Sequence, residues 1–340
     1  MPESFAVAGI DPCTNCHTPT KDKFMANDLQ QSKRNSAIML IHCPDKKGLV
    51  AAVTRFLAHN NGNILEIDQH VDKLSQVFFM RVEWDLDGFL IPDDQIEDEF
   101  ARHIGTPFEM SWQLSFSRDR PRMALFVSKH GHCLHDILAR YDSGEWYVEI
   151  PLIISNHPDM KPVAERYEID FHEVSVTKET KQQAEEEQIR LIGEYGIDMM
   201  VLARYMQILS DGFVSRYPGQ IINIHHSFLP AFPGARPYQS AFERGVKVIG
   251  ATSHYVTADL DEGPIIEQDV IHVNHRHSIE DLVRKGRDLE KVFWPGRSGI
   301  ICSAGPWYLK TGRSFFSRVR DSAGCVAIKK GCLREEAPFF

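Results

Sequence analysis

The hydrophobic pattern changes near residue 120, and two grammars follow one another along the chain. In the first stretch, residues 37–42 form an apolar run of strand length, and 49–59 has helical spacing through Leu49, Val50, Val53, Phe56 and Leu57. Residues 62–67 open a second strand, and in 76–84 Val77, Phe79, Arg81 and Glu83 alternate with Phe78, Met80, Val82 and Trp84, the period of a third. Residues 96–104 then predict a helix and 108–116 a closing strand, so the order over 36–117 is βαββαβ. From residue 122 onward, strand-length apolar runs are separated by helical patterns. Strands are expected at 122–128, 148–155, 169–176, 197–203, around Ile221–Ile222, and at 249–256, with helices at 133–141, 162–167, 181–195 and 278–292. Alternation of this kind implies a mostly parallel sheet with helices on both faces.

Composition narrows the class. Hydrophobic residues make up 43% of the chain and charged residues 25%, as in ordinary globular proteins. No apolar run approaches the roughly 18 residues of a membrane span, and the N-terminus lacks the basic-then-apolar order of a secretory signal. A cytoplasmic protein without a membrane partner is expected. The net charge of −9 argues against nucleic-acid binding. Seven cysteines, an odd number without framework spacing, fit reduced thiols. Residues 1–35 have little periodicity and read as a disordered leader, in which Cys13-Thr14-Asn15-Cys16-His17 matches a haem-attachment pattern by chance. The charged, proline-containing segment 118–122 reads as a linker, and 122–293 as the second domain. Residues 294–340 carry an excess of Lys and Arg over Asp and Glu, opposite to the rest of the chain. This tail is atypical and basic, either native or the product of a shifted reading frame.

Candidate chemistry concentrates at strand ends. Asn223 and His225 are two apart after an apolar run, so on a strand they share a face while His226 points away. An amide donor beside an imidazole suits polarising a carbonyl and moving a proton. Pro230 and Pro233-Gly234 break the strand, placing the pair at its carboxyl end, where open α/β sheets bind ligands. Arg204-Tyr205-Met206-Gln207-Ile208-Leu209 ends another buried strand in an apolar turn able to wall a flat ring, and 249–256 presents His254 and Val256. Asp261 lies in an acidic turn closed by Gly263-Pro264; alone, such an Asp is more often a turn former. The loop 128–136 lacks the glycine-rich turn that cradles a phosphate. His225 and His226 on opposite faces make poor joint ligands, and no cluster has the spacing of a zinc site, so no metal is expected.

Two resemblances add to this reading. Cys43-Pro44-Asp45-Lys46-Lys47-Gly48-Leu49-Val50, with Asn61-Gly62-Asn63-Ile64, resembles the ACT family of small-molecule sensing domains. That resemblance implies an amino-acid effector, glycine or methionine, near Asp45, Gly48, Leu49, Asn63 and Ile64, and a homo-oligomer such as a tetramer. Asn223-Ile224-His225, Ser227, Leu229-Pro230, His254-Tyr255-Val256, Asp261 and Gly263-Pro264-Ile265-Ile266 resemble the folate-dependent formyltransferase fold family. Ser128, His132-Cys133-Leu134 and Asp136, with His226 where transferases usually have proline, resemble its formyltetrahydrofolate deformylase branch.

The implied architecture is α/β: an N-terminal ACT-like βαββαβ domain followed by a Rossmann-like, mostly parallel formyltransferase-fold sheet. The implied reaction is hydrolysis of 10-formyltetrahydrofolate to tetrahydrofolate and formate, without a cofactor. Asn223 and a protonated His225 would polarise the formyl carbonyl and Asp261 would assist proton transfer. Arg204, Tyr205, Met206, Gln207, Ile208, Leu209, His254 and Val256 would line the folate pocket, with Ser128, His132, Cys133 and His226 auxiliary. Alternatives are formyl transfer to an amine acceptor, or a catalytically weak amino-acid-sensing protein.

Overall fold

Strand β1 (Ser36–Pro44) is the spine of the first sheet, because every second side chain, Ala37, Met39, Ile41 and Cys43, is buried against two helices. Helix α1 (Leu49–His59) brings Leu49, Val53, Phe56 and Leu57 to the same core, and β3 (Val77–Asp85) adds Phe78, Met80, Val82 and Trp84. Helix α2 (Ile96–Phe100), continued by a wider turn Ala101–Gly105, seals it with Phe100, edge-on to Phe56 at 5.6 Å and to Trp112 at 5.4 Å. With β2 (Asn63–Asp72) and β4 (Ser111–Phe116) the strands lie in the order β2-β3-β1-β4, antiparallel throughout. The closing strand expected from residue 108 begins only at Ser111. The backbone amides of Phe108 and Met110 bond back to Ile104 and Gly105, and Glu109 takes a left-handed φ of 55°, so these residues are spent on the turn.

This computed structural model describes residues 35–231 and 236–292, plus the backbone of two short antiparallel strands, Arg318–Arg320 and Val326–Ile328. The leader expected over 1–35 lies, Asn35 apart, outside the described residues; so do most of the basic tail and Pro233-Gly234.

The second sheet has seven strands in the order β11-β10-β9-β8-β5-β6-β7. They are β5 (Arg122–Val127), β6 (Glu149–Ser155), β7 (Asp170–Glu173), β8 (Met199–Leu202), β9 (Ile221–His225), β10 (Val248–Tyr255) and β11 (Ile265–His272). The block β9-β8-β5-β6-β7 is parallel, and β10 runs antiparallel to both β9 and β11. Met123 through Val127 of β5 are all fully buried, the continuous apolar run of a strand covered on both faces. Met123, Leu125 and Val127 pack with Leu134, Ile137 and Leu138 of α3 (His132–Asp142). Ala124 and Phe126 pack on the opposite face with Leu191 and Ile192 of α5 (Lys181–Glu194), which follows the short α4 (Lys161–Arg166). Strand order reverses at β5, with β6 laid to one side and β8 to the other, so a crevice opens beyond their carboxyl ends. Among the described residues no helix is long and apolar enough to cross a membrane.

The short α6 (Asp211–Val214) precedes β9, and α7 (Pro237–Glu243) lies between β9 and β10. Helix α8 (Ile279–Val292) packs Leu282 with Tyr238, Ala241, Ile249 and Val273. Gly286 permits that contact: a Cβ there would sit 2.1 Å from the Tyr238 hydroxyl oxygen and 2.3 Å from its ring. Replacing Gly286 by Ala favours the helix by about 1 kcal/mol on propensity, but overpacking a buried ring costs about 1–3 kcal/mol. Gly286→Ala is therefore expected to lower the denaturant midpoint, and a raised midpoint would show that Tyr238 yields freely.

Candidate active site

The pairing of β9 with β10 sets the site. Asn223 lies opposite His254 and His225 opposite Thr252, so Asn223 and His225 share a face at the carboxyl end of β9. Asp261 reaches them from the turn joining β10 to β11. That turn is held tightly under β10, since a Cβ on Gly263 would lie 1.7 Å from the Tyr255 carbonyl oxygen, and Asp261 adopts φ 57°. Its Oδ1 stands 3.4 Å from His225 Nδ1 and 3.8 Å from His254 Nε2. His254 Nδ1 donates to the Tyr255 carbonyl at 2.9 Å, so its Nε2 accepts from the Asn223 amide at 3.2 Å. These two bonds fix one neutral tautomer of His254 and, through it, the orientation of Asn223.

Burial pushes the His225 imidazole below its usual value of 6.5; Asp261 opposes this and Arg204 reinforces it. His254 is lowered in the same way, first by burial. This shift favours a neutral His225 at rest. Its Nε2 is buried and has no hydrogen-bond partner among the described residues. An orphaned acceptor beside a fixed amide donor suits taking a proton from water next to a polarised carbonyl.

The other expected site residues divide. Arg204 and Met206 both take left-handed φ values, 61° and 60°, and the turn exposes Met206 and Ile208, at 50% and 61%, as an apolar rim beside half-buried Gln207 and Leu209. Tyr205 turns into the core, where its hydroxyl accepts from Gln188 at 2.7 Å and burial pushes its pKa up to about 12. Leu209 and Val256 pack at the margin of the same core. His254, only 2% exposed, accepts from the Asn223 amide. His226 does not point away from His225 as strand alternation would have it. The strand ends at His225, and the two rings lie 5.3 Å apart, with His226 also packed 5.9 Å from Tyr238.

Behind His226 lies a cluster the sequence only partly disclosed. The Glu290 carboxylate on α8, wholly buried, accepts from His132 Nε2 and from the Tyr238 hydroxyl, each at 2.7 Å, and from the Cys133 thiol at 3.9 Å. Arg204 Nε stands 3.6 Å from it. Burial raises the Glu290 pKa, but His132, Arg204 and Tyr238 outweigh it and hold the carboxyl below its usual range. Burial and Glu290 push the Cys133 thiol up, so it stays protonated and unreactive. Ser128 is buried at the end of β5. Neither Glu290 nor Tyr238 was singled out from sequence. Glu290 carried a signal, a charge eight residues after Leu282 on the buried stripe of α8.

Although sequence spacing offered no metal cluster, the fold assembles two sets of three donors close enough to share an ion, His225–His254–Asp261 and His132–Cys133–Glu290. In the second set the Arg204 guanidinium already occupies the neighbourhood of the carboxylate, which disfavours a cation. At the expected effector turn, Gly48 begins α1 at φ 92° with open space around it, and Asp45 and Asn63 are exposed. Ile64 is half-buried and Leu49 belongs to the core.

Comparison with known proteins agrees with both resemblances. The formyl transferase family pattern matches residues 121–297 and the ACT domain pattern residues 37–105. A formyltetrahydrofolate deformylase of Synechocystis is 54% identical over 257 residues, covering 76% of this chain and 90% of the relative. That of Bacillus subtilis is 42% identical over 285 residues, covering 84% and 92%. The crystal structure of a formyltetrahydrofolate deformylase from Pseudomonas syringae superposes with a TM-score of 0.75 at 46% identity, over 79% of this chain and 90% of that one. A glycinamide ribonucleotide transformylase from Symbiobacterium toebii shares the fold of the second domain more distantly, with a TM-score of 0.54 at 29% identity over 59% of this chain and 96% of that one. The chain belongs to the formyltetrahydrofolate deformylase family.

Proposed function

We propose that the chain hydrolyses 10-formyltetrahydrofolate to tetrahydrofolate and formate, and that Asn223, His225 and Asp261 carry the reaction. The observation that bears most weight is the buried, unpartnered Nε2 of a neutral His225 beside an amide donor. Water attacks the formyl carbon, and its proton passes to His225 Nε2. Asp261, 3.4 Å from Nδ1, stabilises the imidazolium as it forms. The second Nδ2 hydrogen of Asn223, the one not given to His254, meets the negative charge that develops on the carbonyl oxygen. The imidazolium then returns the proton to N10, the bond between N10 and the formyl carbon breaks, and formate leaves. No step requires a cofactor. The pterin ring lies in the turn at Arg204–Leu209, against the apolar rim of Met206 and Ile208.

The family membership extends this reading. The enzyme works in the cytoplasm as a homo-oligomer such as a tetramer, feeds formate to purine synthesis and balances the one-carbon folate pool. Its first domain senses glycine or methionine at the open turn around Asp45, Gly48 and Asn63. Formate release measured with and without each amino acid reads that regulation.

Purified protein should release formate from 10-formyltetrahydrofolate with no amine present, and Asn223→Ala should lower kcat/KM by about 10²–10³-fold, the usual loss for one oxyanion donor. An absolute requirement for an added amine would instead mark a transferase. Followed by NMR, the His225 imidazole should titrate below 6.5, and lower still in Asp261→Asn, because removing the nearby negative charge disfavours the protonated form. Titration at or above 6.5 in the unmodified protein would contradict a neutral His225 base.

A further inference from the structure

In an open α/β sheet the crevice at the point where strand order reverses is the natural place for a ligand. Here that point lies between β5 and β8, and side chains that follow both strands converge there on one carboxylate. His132 and Cys133 come from the first turn of α3, just after β5, and Arg204 from the residues just after β8. Tyr238 comes from α7, and all four meet on the Glu290 carboxylate, whose side chain is 0% exposed. Arg204 is itself only 10% exposed and enters the cluster from a left-handed backbone position. Burying this many polar groups is costly; His132, Tyr238 and Cys133 pair with the carboxylate, while Arg204 Nε and Nη1 make no hydrogen bond among the described residues. The cluster adjoins the chemistry: Tyr238 packs on His226, and His226 on His225.

We propose that the Arg204–Glu290–His132–Tyr238 cluster is the specificity determinant that confines the acceptor to water, by occupying the place where an amine co-substrate would stand. The inference rests on the hydrolase reading and deepens it. Water needs a share of only about 30 Å³ beside the formyl carbon, whereas an amine must bring its substituents with it. With the cluster emptied, a primary amine would use its nitrogen lone pair to attack the formyl carbon. A new nitrogen–carbon bond forms, the bond to N10 breaks, and the amine proton passes to N10, giving tetrahydrofolate and an N-formyl amine in place of formate.

The test is product partition with glycinamide as the amine probe. Tetrahydrofolate, formate and N-formylglycinamide are measured together for the unmodified chain and for Arg204→Ala/Glu290→Gln. The double change removes both charges, so that neither is left buried alone. The unmodified chain should give tetrahydrofolate and formate in equal amounts whether or not glycinamide is present. The double variant should form N-formylglycinamide at least about tenfold more than the unmodified chain, at the expense of formate. If the double variant does not fold by circular dichroism, His132→Ala, which empties the opposite side of the same crevice, is held to the same expectation. Equal tetrahydrofolate and formate from a folded, active variant in the presence of glycinamide would overturn this inference alone. An unmodified chain that releases no formate would overturn the hydrolase reading on which it rests.

Discussion

The structure depends on keeping one imidazole out of water with a carboxylate close by. His225 is 6% exposed and Asp261 lies 3.4 Å from its Nδ1. Burial disfavours the charged imidazole, while the carboxylate lowers the cost of charging it. The first effect leaves His225 able to accept a proton at neutral pH, and the second makes the charged intermediate reachable. Neither alone would serve a hydrolysis that must both take a proton from water and return one to a nitrogen leaving group.

Backbone geometry fixes that balance. Antiparallel pairing of β9 with β10 sets Asn223 against His254, and the tight approach of Gly263 to the Tyr255 carbonyl carries Asp261 under both histidines. His254 serves as support: with its Nδ1 proton given to a backbone carbonyl, its remaining nitrogen can only accept, and the Asn223 amide is oriented accordingly. The Glu290 cluster acts from the other side, where Arg204 lowers the His225 pKa and Glu290 raises it.

Much of this was legible in the sequence, for definite reasons. The fully apolar run of β5, the helical spacing of Leu49 to Leu57 and the two-residue spacing of Asn223 and His225 are periodic signals, and each landed in the expected kind of element. The misplacements occur where periodicity stops. Strand alternation put His226 on the far side of His225, but β9 ends at His225 and the next ring folds back beside it. The strand expected from Phe108 gave up its first residues to a turn that the hydrophobicity of Phe108 and Met110 concealed. Tyr205 looks like a pocket residue in a linear reading, yet its side chain faces the core, because which side of a wall it faces is decided by partners such as Gln188. Glu290 shows the same limit most clearly, since its neighbours His132, Cys133, Arg204 and Tyr238 come from three distant segments that only the fold brings together.

The central claim is that His225 carries the proton between water and the leaving nitrogen, and the most direct measurement is a single-turnover comparison of unmodified protein with His225→Ala. The account predicts that the variant still binds the folate, with a Kd close to that of the unmodified protein, while its rate of formate formation falls by about 10²–10⁴-fold, the usual contribution of a positioned acid–base group. A His225→Ala protein that binds the folate and releases formate at the unmodified rate would contradict it.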